Sequence, residues 1–301
     1  MSNIAVVFGG FSSERGISLK SGSNVIDSIE KLGHTVKGFD LKKENAHRLS
    51  ELSGNDLVFI ALHGRYGEDG KIQGYLDSLD IPYTGSKVLS SAICFDKAFT
   101  YNILKEHVIF PEGAIFNKNQ KTETLKWEVF PAIVKPSEEG SSIGVSIVDN
   151  KEQLFQAINK TLNSYETVIV EKFIKGRELS ISIIEKNNQL LVLPILEIKP
   201  KKRFYDYEAK YTAGMTSFSV PAELGTQIEK SLIEKSKEIF ERMKCRHFAR
   251  IDGILKDNTF YFLEVNTIPG LTDLSDLPLS ARAEGMNFVE LIDVIVQEAL
   301  K

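Results

Sequence analysis

Short apolar segments alternate with amphipathic segments in the first third of the chain, and this alternation is the feature that most constrains the fold. Residues 4–8 predict a buried strand that ends in Gly9 and Gly10, and residues 18–32 have apolar side chains at helical spacing before Gly33. Residues 35–39 and 57–62 predict two more strands. Such short strand–helix spacing favours a parallel, doubly wound sheet, in which ligands bind beyond the carboxyl ends of the strands.

The pattern changes further along the chain. Turn residues cluster at 81–85, residues 96–105 predict a helix, and residues 131–148 predict two strands around a polar, glycine-containing loop. From Glu178 onward, alternating apolar residues predict antiparallel strands. We therefore expect an α/β protein with an amino-terminal substrate-binding domain at 1–87, a central lobe at 88–175 and a carboxy-terminal lobe at 176–301.

Composition and charge narrow the class of protein. A formal net charge of −4 and a pI near 5.9 argue against general nucleic-acid binding. The two cysteines, Cys94 and Cys245, form no CxxC pair, which fits a reducing compartment. The first residues lack the basic and apolar regions of a signal peptide, and no apolar run nears the ~20 residues of a membrane-spanning helix. We expect a cytoplasmic protein without membrane segments.

Two acidic positions and an amide near the carboxy terminus suggest a metal site. Residues 259–265 alternate as a strand does, so Glu264 and Asn266 project to one face. Asp252 lies on an earlier apolar run and reaches the same place if the two strands are neighbours. Oxygen ligands of this kind suit Mg²⁺. The alternative is a sheet edge with ordinary surface acids, although Arg250, two residues before Asp252, makes chance less plausible.

Other segments have two interpretations each. Lys135 precedes a loop of small polar residues whose backbone N–H groups suit phosphate, but the loop also fits a solvated hairpin. Residues 170–178 fit either an adenine- and ribose-binding segment or a charged linker. Residues 199–211 are basic, aromatic and polar, which predicts a long loop that acts as a lid. Basic and aromatic residues together also fit a nucleic-acid contact, but the net negative charge of the chain argues against it. His63 fits a general base or a merely hydrogen-bonded histidine.

Taken together and in this order, these segments resemble the D-alanine–D-alanine ligases of the ATP-grasp superfamily over nearly the whole chain. The resemblance is carried by the HGxxGEDG pattern at 63–70, the EGSSIG sequence at 139–144, the AKY triplet at 209–211 and the strand pair around Asp252 and Glu264. The HGxxGEDG and AKY elements are specific to this ligase group, whereas the metal strand alone indicates only ATP-grasp. The resemblance implies an amino-terminal parallel-sheet domain followed by a two-lobed ATP-grasp fold.

The resemblance also implies roles for individual residues. Those expected at the ATP phosphates are Lys97, Lys135, Ser142 and Lys210. Those expected at adenine and ribose are Glu171, Glu178 and the backbone of Lys172 and Ile174. Those expected to bind two Mg²⁺ ions, for which Mn²⁺ can substitute, are Asp252, Glu264 and Asn266.

Substrate roles follow in the same way. Glu14 would bind the ammonium of the first D-alanine, while Arg250 and the Gly270 N–H would stabilise oxyanions. His63 and Ser275 would contact the second D-alanine. A hydrogen-bonded set would close the lid, and its members are Glu14, Ser141 and Tyr211. Asp276 stands where the family commonly has an apolar residue, and an inward Asp276 is expected to repel the second substrate's carboxylate.

The implied activity is ATP-dependent ligation of two D-alanine molecules through a D-alanyl phosphate, for peptidoglycan precursor synthesis. The resemblance also implies a homodimer and small-molecule partners only, with neither nucleic acid nor membrane involved. Two alternatives remain open from the sequence. One is a D-alanine–D-lactate ligase of the same fold, which the Tyr211 that follows Lys210 disfavours. The other is a non-catalytic ATP-grasp protein that binds nucleotide.

Overall fold

The amino-terminal part of the chain forms a three-stranded parallel sheet. This computed structural model describes residues 1–201 and 215–301, apart from the side chain of Glu123. Strands β1 (Asn3–Gly9), β2 (Thr35–Leu41) and β3 (Leu57–Ile60) pair in the order β2-β1-β3, and helix α1 (Arg15–Lys31) connects β1 to β2. The predicted parallel arrangement is confirmed, because the crossover helix is what parallel neighbours require.

Both faces of this sheet are buried, as a doubly wound sheet requires. Ile4 and Val6 of β1 pack with α1 and with the carboxy-terminal helix, whereas Ala5 and Val7 pack with the 3₁₀ helix Lys43–Leu52 and with α2 (Lys71–Asp77). The alternation follows from the two-residue period of a strand. Because both sets are apolar, the strand reads as a continuous apolar run.

Two antiparallel sheets make up the rest of the chain. Helices α3 (Val88–Phe95) and α4 (Lys97–Leu104) lead into a four-stranded sheet of order β4-β7-β5-β6, with α5 (Lys151–Leu162) packed on it. Its strands are β4 (Gly113–Asn117), β5 (Ala132–Pro136), β6 (Ser146–Val148) and β7 (Thr167–Lys172). The predicted helix at 96–105 and the two strands around a glycine loop are confirmed.

The second antiparallel sheet has the order β11-β10-β8-β12-β13, and β9 also pairs with β8. Its strands are β8 (Arg177–Lys186), β9 (Gln189–Val192), β10 (Leu196–Pro200), β11 (Thr216–Ser219), β12 (Phe248–Lys256) and β13 (Thr259–Asn266). The helices of this part are α6 (Thr226–Arg242), α7 (Asp276–Ala283) and α8 (Phe288–Ala299). The α/β class is therefore as predicted, with a parallel sheet followed by antiparallel sheets.

The first two residues of the predicted lid loop, Lys199 and Pro200, belong to a strand. Residues 199–200 end β10 and residues 216–219 form β11, and these two strands pair antiparallel with each other. Their register is set by cross-strand pairing, which a polar composition does not reveal. Residues 202–214 lie outside the described part of the chain, and with them the predicted site residues Lys210 and Tyr211.

The segment around Arg246 and His247 joins the amino-terminal sheet to β12. Arg246 donates to the carbonyl oxygens of Gly85 (2.9 Å) and Tyr83 (2.9 Å), and His247 Nδ1 accepts the N–H of Gly85 at 3.1 Å. His247 is buried, has a left-handed φ of 63°, and its N–H donates to Glu185. Residues distant in sequence are thus fixed by polar contacts as well as by the apolar core.

Among the described residues, the structure contains no helix with the length and apolar character needed to cross a bilayer.

We predict that Gly22→Ala lowers the stability of the protein while Gly16→Ala does not. Both glycines lie in α1, but a Cβ at Gly22 would overlap the Cβ and Cγ of Phe8, whereas one at Gly16 meets no atom within 4 Å. Overpacking of this kind costs about 1–3 kcal/mol, and alanine at an open helical site is neutral or better by up to about 1 kcal/mol. Thermal unfolding of both variants measures the difference, and equal midpoints would show that this helix is not closely packed on β1.

We also predict that His247→Asn flattens the loss of stability on acidification. Burial, followed by the charge of Arg246, lowers the pKa of His247 to about 3. Because the unfolded imidazole titrates near 6.5, the folded state loses stability as the pH falls from 6.5 toward 3, by up to about 1.4 kcal/mol per pH unit. Asparagine keeps an acceptor for Gly85 and tolerates the left-handed conformation. Urea unfolding between pH 7 and 4.5 tests this, and parallel curves for variant and wild type would contradict it.

Candidate active site

The strands β12 and β13 bring the predicted metal and oxyanion residues together. Asp252 lies opposite Glu264 in the antiparallel register, and Arg250 lies opposite Asn266. The register shifts just after Asp252, and an added Cβ at Gly253 would lie 2.6 Å from the Tyr261 carbonyl oxygen and would also overlap the ring of Phe260. This irregularity follows directly after the acidic pair, and bulges of this kind re-aim side chains next to functional sites.

Each of the two carboxylates has a basic partner. Arg250 Nε lies 2.9 Å from Asp252 Oδ1 and Arg250 Nη2 lies 2.7 Å from Asp252 Oδ2, and Lys97 Nζ lies 2.9 Å from Glu264 Oε2. Burial acts to lower the pKa of Lys97 and of Arg250, but their acidic neighbours outweigh it and raise both. Lys97 and Arg250 are therefore positively charged at neutral pH, although their side chains are only 13 % exposed.

The donor set on these strands fits Mg²⁺. Asp252, Glu264 and Asn266 carry oxygen atoms on paired strands and all line one cavity. Mg²⁺ is bound through one or two carboxylates together with substrate phosphates, so two carboxylates and an amide suffice. In residues 1–201 and 215–301 the structure contains no group of three or more histidine, cysteine or acidic side chains placed for a metal. A dedicated all-protein metal cage is therefore not present there.

Glu68 is a further buried carboxyl at this place, and the sequence analysis gave it no role. Its Oε1 accepts the N–H of Gly64 at 2.8 Å. In the amide orientation that satisfies both groups, Asn266 donates to Glu68 Oε2 at 2.7 Å and accepts from Arg250 Nη2 at 2.7 Å. Burial, and then the charge of Glu14, raises the pKa of Glu68 to about 8. The only signal in the sequence was its place in the HGxxGEDG pattern.

Glu14 lies in a close-fitting space formed by two loops. Added Cβ atoms at Gly64 and Gly140 would lie 2.6 Å and 2.9 Å from Glu14 Oε2, so a side chain at either position would displace this carboxylate, and Gly64 also has a left-handed φ of 71°. Ser141 donates a short hydrogen bond to Glu14 Oε1, which brings together two of the three residues predicted to close the lid. The loops after β1 and β3 are also joined directly, because Ser12 Oγ donates to the His63 carbonyl oxygen at 2.7 Å.

His63 is held by hydrogen bonds at both ring nitrogens. Nδ1 lies 3.1 Å from the Ile268 carbonyl oxygen, which can only accept, so Nδ1 carries the proton. Nε2 then accepts from Ser21 Oγ at 2.9 Å, and Ser21 in turn accepts the Leu271 N–H at 3.2 Å. Burial lowers the pKa of His63. The neutral ring therefore connects the end of β3 to residues 268–271, which favours the hydrogen-bonded interpretation over a general base.

The predicted ATP residues of the central lobe also face this cavity. Lys135 Nζ lies 2.6 Å from Glu171 Oε2, and both side chains are almost fully buried. The Lys172 N–H donates to the Glu112 carbonyl oxygen at 2.8 Å, which leaves its carbonyl group, rather than its N–H, for a ligand. Ile174 and Glu178 line the same cavity.

Asp276 points inward, but its charge has partners. Its Oδ2 lies 3.1 Å from Ser180 Oγ and 3.6 Å from Arg250 Nε. Ser180 also lies 2.9 Å from Asp252 Oδ1, so this hydroxyl links two carboxylates. The expected repulsion of a substrate carboxylate is therefore reduced by Arg250, which lies between Asp252 and Asp276.

Gly270 and Ser275 lie in the loop before α7. Ser275 Oγ accepts the Thr272 N–H at 3.1 Å and lies 2.8 Å from Thr272 Oγ1, so the hydroxyl is turned back onto its own loop. An added Cβ at Gly270 would lie 2.6 Å from Ser275 Oγ, so a side chain there would displace this hydroxyl. Both residues line the cavity.

One cavity of about 750 Å³ therefore contains the described candidate residues from all three parts of the chain. They are Glu14, His63, Lys97, Lys135, Ser141, Ser142, Glu171, Lys172, Ile174, Glu178, Arg250, Asp252, Glu264, Asn266, Gly270 and Ser275. Lys210 and Tyr211 are outside the described residues, so their predicted roles stay predictions. The volume is within the range of small-molecule and cofactor sites.

Known proteins match the chain over almost its full length. Family models described as the D-ala D-ala ligase N-terminus and C-terminus match residues 39–86 and 101–297. The D-alanine--D-alanine ligase of Pseudothermotoga lettingae is 50% identical over 298 residues, covering 99% of each chain.

Solved structures share the fold. The D-alanine--D-alanine ligase of Bacillus anthracis complexed with ATP superposes with a TM-score of 0.85 at 33% identity, covering 100% of this chain and 98% of that one. The VanG D-Ala:D-Ser ligase of Enterococcus faecalis superposes with a TM-score of 0.83 at 29% identity and 99% coverage of both chains. With matching sequence models, relatives and architecture, the chain belongs to the D-alanine–D-alanine ligase family.

Proposed function

We propose that the protein joins two D-alanine molecules with ATP, forming D-alanyl-D-alanine, ADP and phosphate for peptidoglycan precursor synthesis. The observation that supports this best is the single cavity in which Lys97 and Arg250 lie against Asp252 and Glu264, with Glu14 nearby. Relatives covering the whole chain carry the same activity in their names. The cavity holds both the cations that an anionic reaction needs and a carboxylate for a substrate ammonium.

The first step requires two anions to approach each other. A carboxylate oxygen of the first D-alanine attacks the γ-phosphorus of ATP, giving an acyl phosphate and ADP. Lys97 and Lys135 would reduce the repulsion through their charge, and backbone N–H groups around Ser142 would bind phosphate oxygens. Mg²⁺ held by Asp252, Glu264 and Asn266 would supply further neutralisation of phosphate charge. Glu14 would bind the ammonium of the first substrate through its negative charge. Its carboxylate lines the cavity and lies against Gly64 and Gly140.

The second step makes the peptide bond. The neutral amine of the second D-alanine attacks the acyl carbon and a tetrahedral oxyanion forms. Its collapse expels phosphate with its electron pair, and the phosphate takes up the proton that the nitrogen loses. Arg250 and the Gly270 N–H would stabilise the oxyanion, because hydrogen-bond donors that are already in position need little reorganisation when the negative charge develops. The neutral His63 keeps residues 268–271 in place for this role, since it bonds to Ile268 and, through Ser21, to Leu271. A lid over the cavity would protect the acyl phosphate from water.

We also propose the division into parts at 1–87, 88–175 and 176–301, and a cytoplasmic homodimer. The three sheets support the division, although one buried cluster combines β1 with α8 and so joins the first part to the third. Light scattering on the purified protein tests the dimer.

Phosphate release on mixing the protein with ATP, Mg²⁺ and D-alanine tests the proposed function. We expect release to depend on D-alanine and to match D-alanyl-D-alanine formed. Parallel reactions contain L-alanine, or D-alanine with D-lactate or D-serine. Mainly ester or D-alanyl-D-serine product would favour a ligase of different specificity, and nucleotide binding without turnover would favour the non-catalytic alternative.

We predict that Glu264→Gln folds normally and loses most ligase activity. The amide has nearly the same shape but lacks the charge that would attract Mg²⁺ and that pairs with Lys97. Mutation of residues that only support a metal ligand typically lowers activity or metal affinity roughly 10–100-fold. We expect at least that loss for a direct ligand. Steady-state kinetics across a Mg²⁺ titration measure it.

The matched control is Glu166→Gln, since Glu166 is also paired with a lysine, Lys118 at 3.1 Å, but is largely exposed. We expect this variant to behave as the wild type. Turnover by Glu264→Gln close to wild type at ordinary Mg²⁺ would refute the metal assignment.

A further inference from the structure

Arg65 extends from the amino-terminal domain to the loop that would cover the ATP phosphates. It lies two residues beyond His63, after β3, and contacts the glycine loop, which we define as residues 137–145 between β5 and β6. Its Nε lies 3.6 Å from Glu139 Oε2 and its Nη2 lies 3.5 Å from the Glu138 carbonyl oxygen. Its guanidinium lies 5.5 Å from the centre of the Tyr165 ring. The side chain therefore lies between the loop and a residue that supports it.

Glu139 is held from two sides. Its carbonyl oxygen accepts from Lys97 Nζ at 2.7 Å, and its Oε2 accepts from the Tyr165 hydroxyl at 3.2 Å. Its side chain is only 9 % exposed, and burial raises its pKa against the opposing effect of Arg65. Lys97 thus holds the backbone of this residue on the phosphate side, while Arg65 neutralises its carboxylate on the other side.

The loop needs such support because its backbone is strained. Ser141 and Ser142 have φ values of 50° and 59°, in the left-handed region. Conformations of this kind are unfavourable for residues other than glycine, and they persist where the surroundings hold them. Contacts from Glu14 to Ser141 and from Arg65 to Glu139 tie this segment to the amino-terminal domain at two points.

The Arg65–Glu139 contact can still tighten. Arg65 Nε is buried and has no hydrogen-bond partner among residues 1–201 and 215–301. The 3.6 Å separation from Glu139 Oε2 is a few tenths of an ångström too long for a good hydrogen bond. A relative shift of a few tenths of an ångström between Arg65 and the glycine loop would complete this bond, so the pair can draw the loop toward the amino-terminal domain.

We propose that Arg65 is a positioning residue for ATP, which acts through Glu139 and Tyr165 to hold the glycine loop over the phosphates. This inference rests on the proposed function for its kinetic consequences. Arg65 itself would touch neither phosphate nor D-alanine. Removing it should therefore weaken ATP use more strongly than D-alanine use, which the loop affects only through its contact with Glu14.

The test compares Arg65→Met, Arg65→Lys and the control Arg48→Met. Arg48 is another arginine paired with a glutamate, Glu51, but at the exposed surface. Arg65→Met removes an ion pair and a cation–π contact that support the glycine loop. We expect their loss to raise the KM for ATP about three- to tenfold. We expect kcat and both KM values for D-alanine to stay within about twofold, because the substitution removes no contact to D-alanine. Arg65→Lys should fall between, because it keeps the charge but not the planar fork.

A double variant decides whether Arg65 acts through Glu139. If it does, Arg65→Met adds little to the effect of Glu139→Gln, and full additivity would overturn the proposal. Equal increases in the KM values for ATP and D-alanine, or no change in either, would also overturn it.

Hydrogen exchange separates this inference from the proposed function. Peptides covering the glycine loop should exchange faster in Arg65→Met than in wild type or Arg48→Met, without any substrate present. ADP affinity, measured by calorimetry, should be lower for Arg65→Met than for the wild type or Arg48→Met. If the wild type does not ligate D-alanine but these two differences appear, the proposed function fails and the role of Arg65 stands. Unchanged exchange and ADP affinity would refute the role of Arg65 whatever the reaction.

Discussion

The pairing of charges across β12 and β13 is the interaction on which the rest of the site depends. Asp252 and Glu264 face each other in register, and each has a basic partner, Arg250 for one and Lys97 for the other. Removing one partner of a buried pair leaves an uncompensated charge, which is strongly unfavourable. Lys97 comes from α4, so the acidic strand pair also fixes where that helix begins relative to the last sheet.

The same charges explain how a substrate would be accommodated. Buried ion pairs at this place keep Lys97 and Arg250 charged despite desolvation. Phosphate and carboxylate groups can then bind to cations that already have fixed positions, so little reorganisation is needed during the reaction. Gly64 and Gly140 leave the space that Glu14 occupies, while the neutral His63 holds the segment that begins at Ile268.

The sequence predicted those parts that local patterns determine. Two-residue periodicity placed Glu264 and Asn266 on one face, and the apolar run before Asp252 made a neighbouring strand plausible, as the register shows. The parallel sheet followed from strand and helix spacing. The pairing of β10 with β11 was missed, because β11 has a single apolar residue, Phe218, and gains its partner only in the fold.

Long-range contacts explain what the sequence could not give. Glu68 and Arg65 lie in a recognised pattern, yet their partners Asn266 and Glu139 are far away along the chain. The hydrogen bonds of His63 to Ile268 and Ser21 favour the hydrogen-bonded interpretation, which the local sequence already preferred, but neither partner could be named from the sequence. The partners of Asp276 reduce the expected repulsion, because Ser180 of β8 and Arg250 of β12 approach this helix residue from neighbouring strands.

The most direct test of the account follows an oxygen atom. D-alanine labelled with ¹⁸O in its carboxyl group is incubated with the protein, ATP and Mg²⁺, and the released phosphate is analysed by mass spectrometry. If the cavity activates the carboxylate as an acyl phosphate, each phosphate released with dipeptide formation carries one labelled oxygen. Phosphate without label, released at the same rate, would show that ATP is hydrolysed by water and would contradict the central claim.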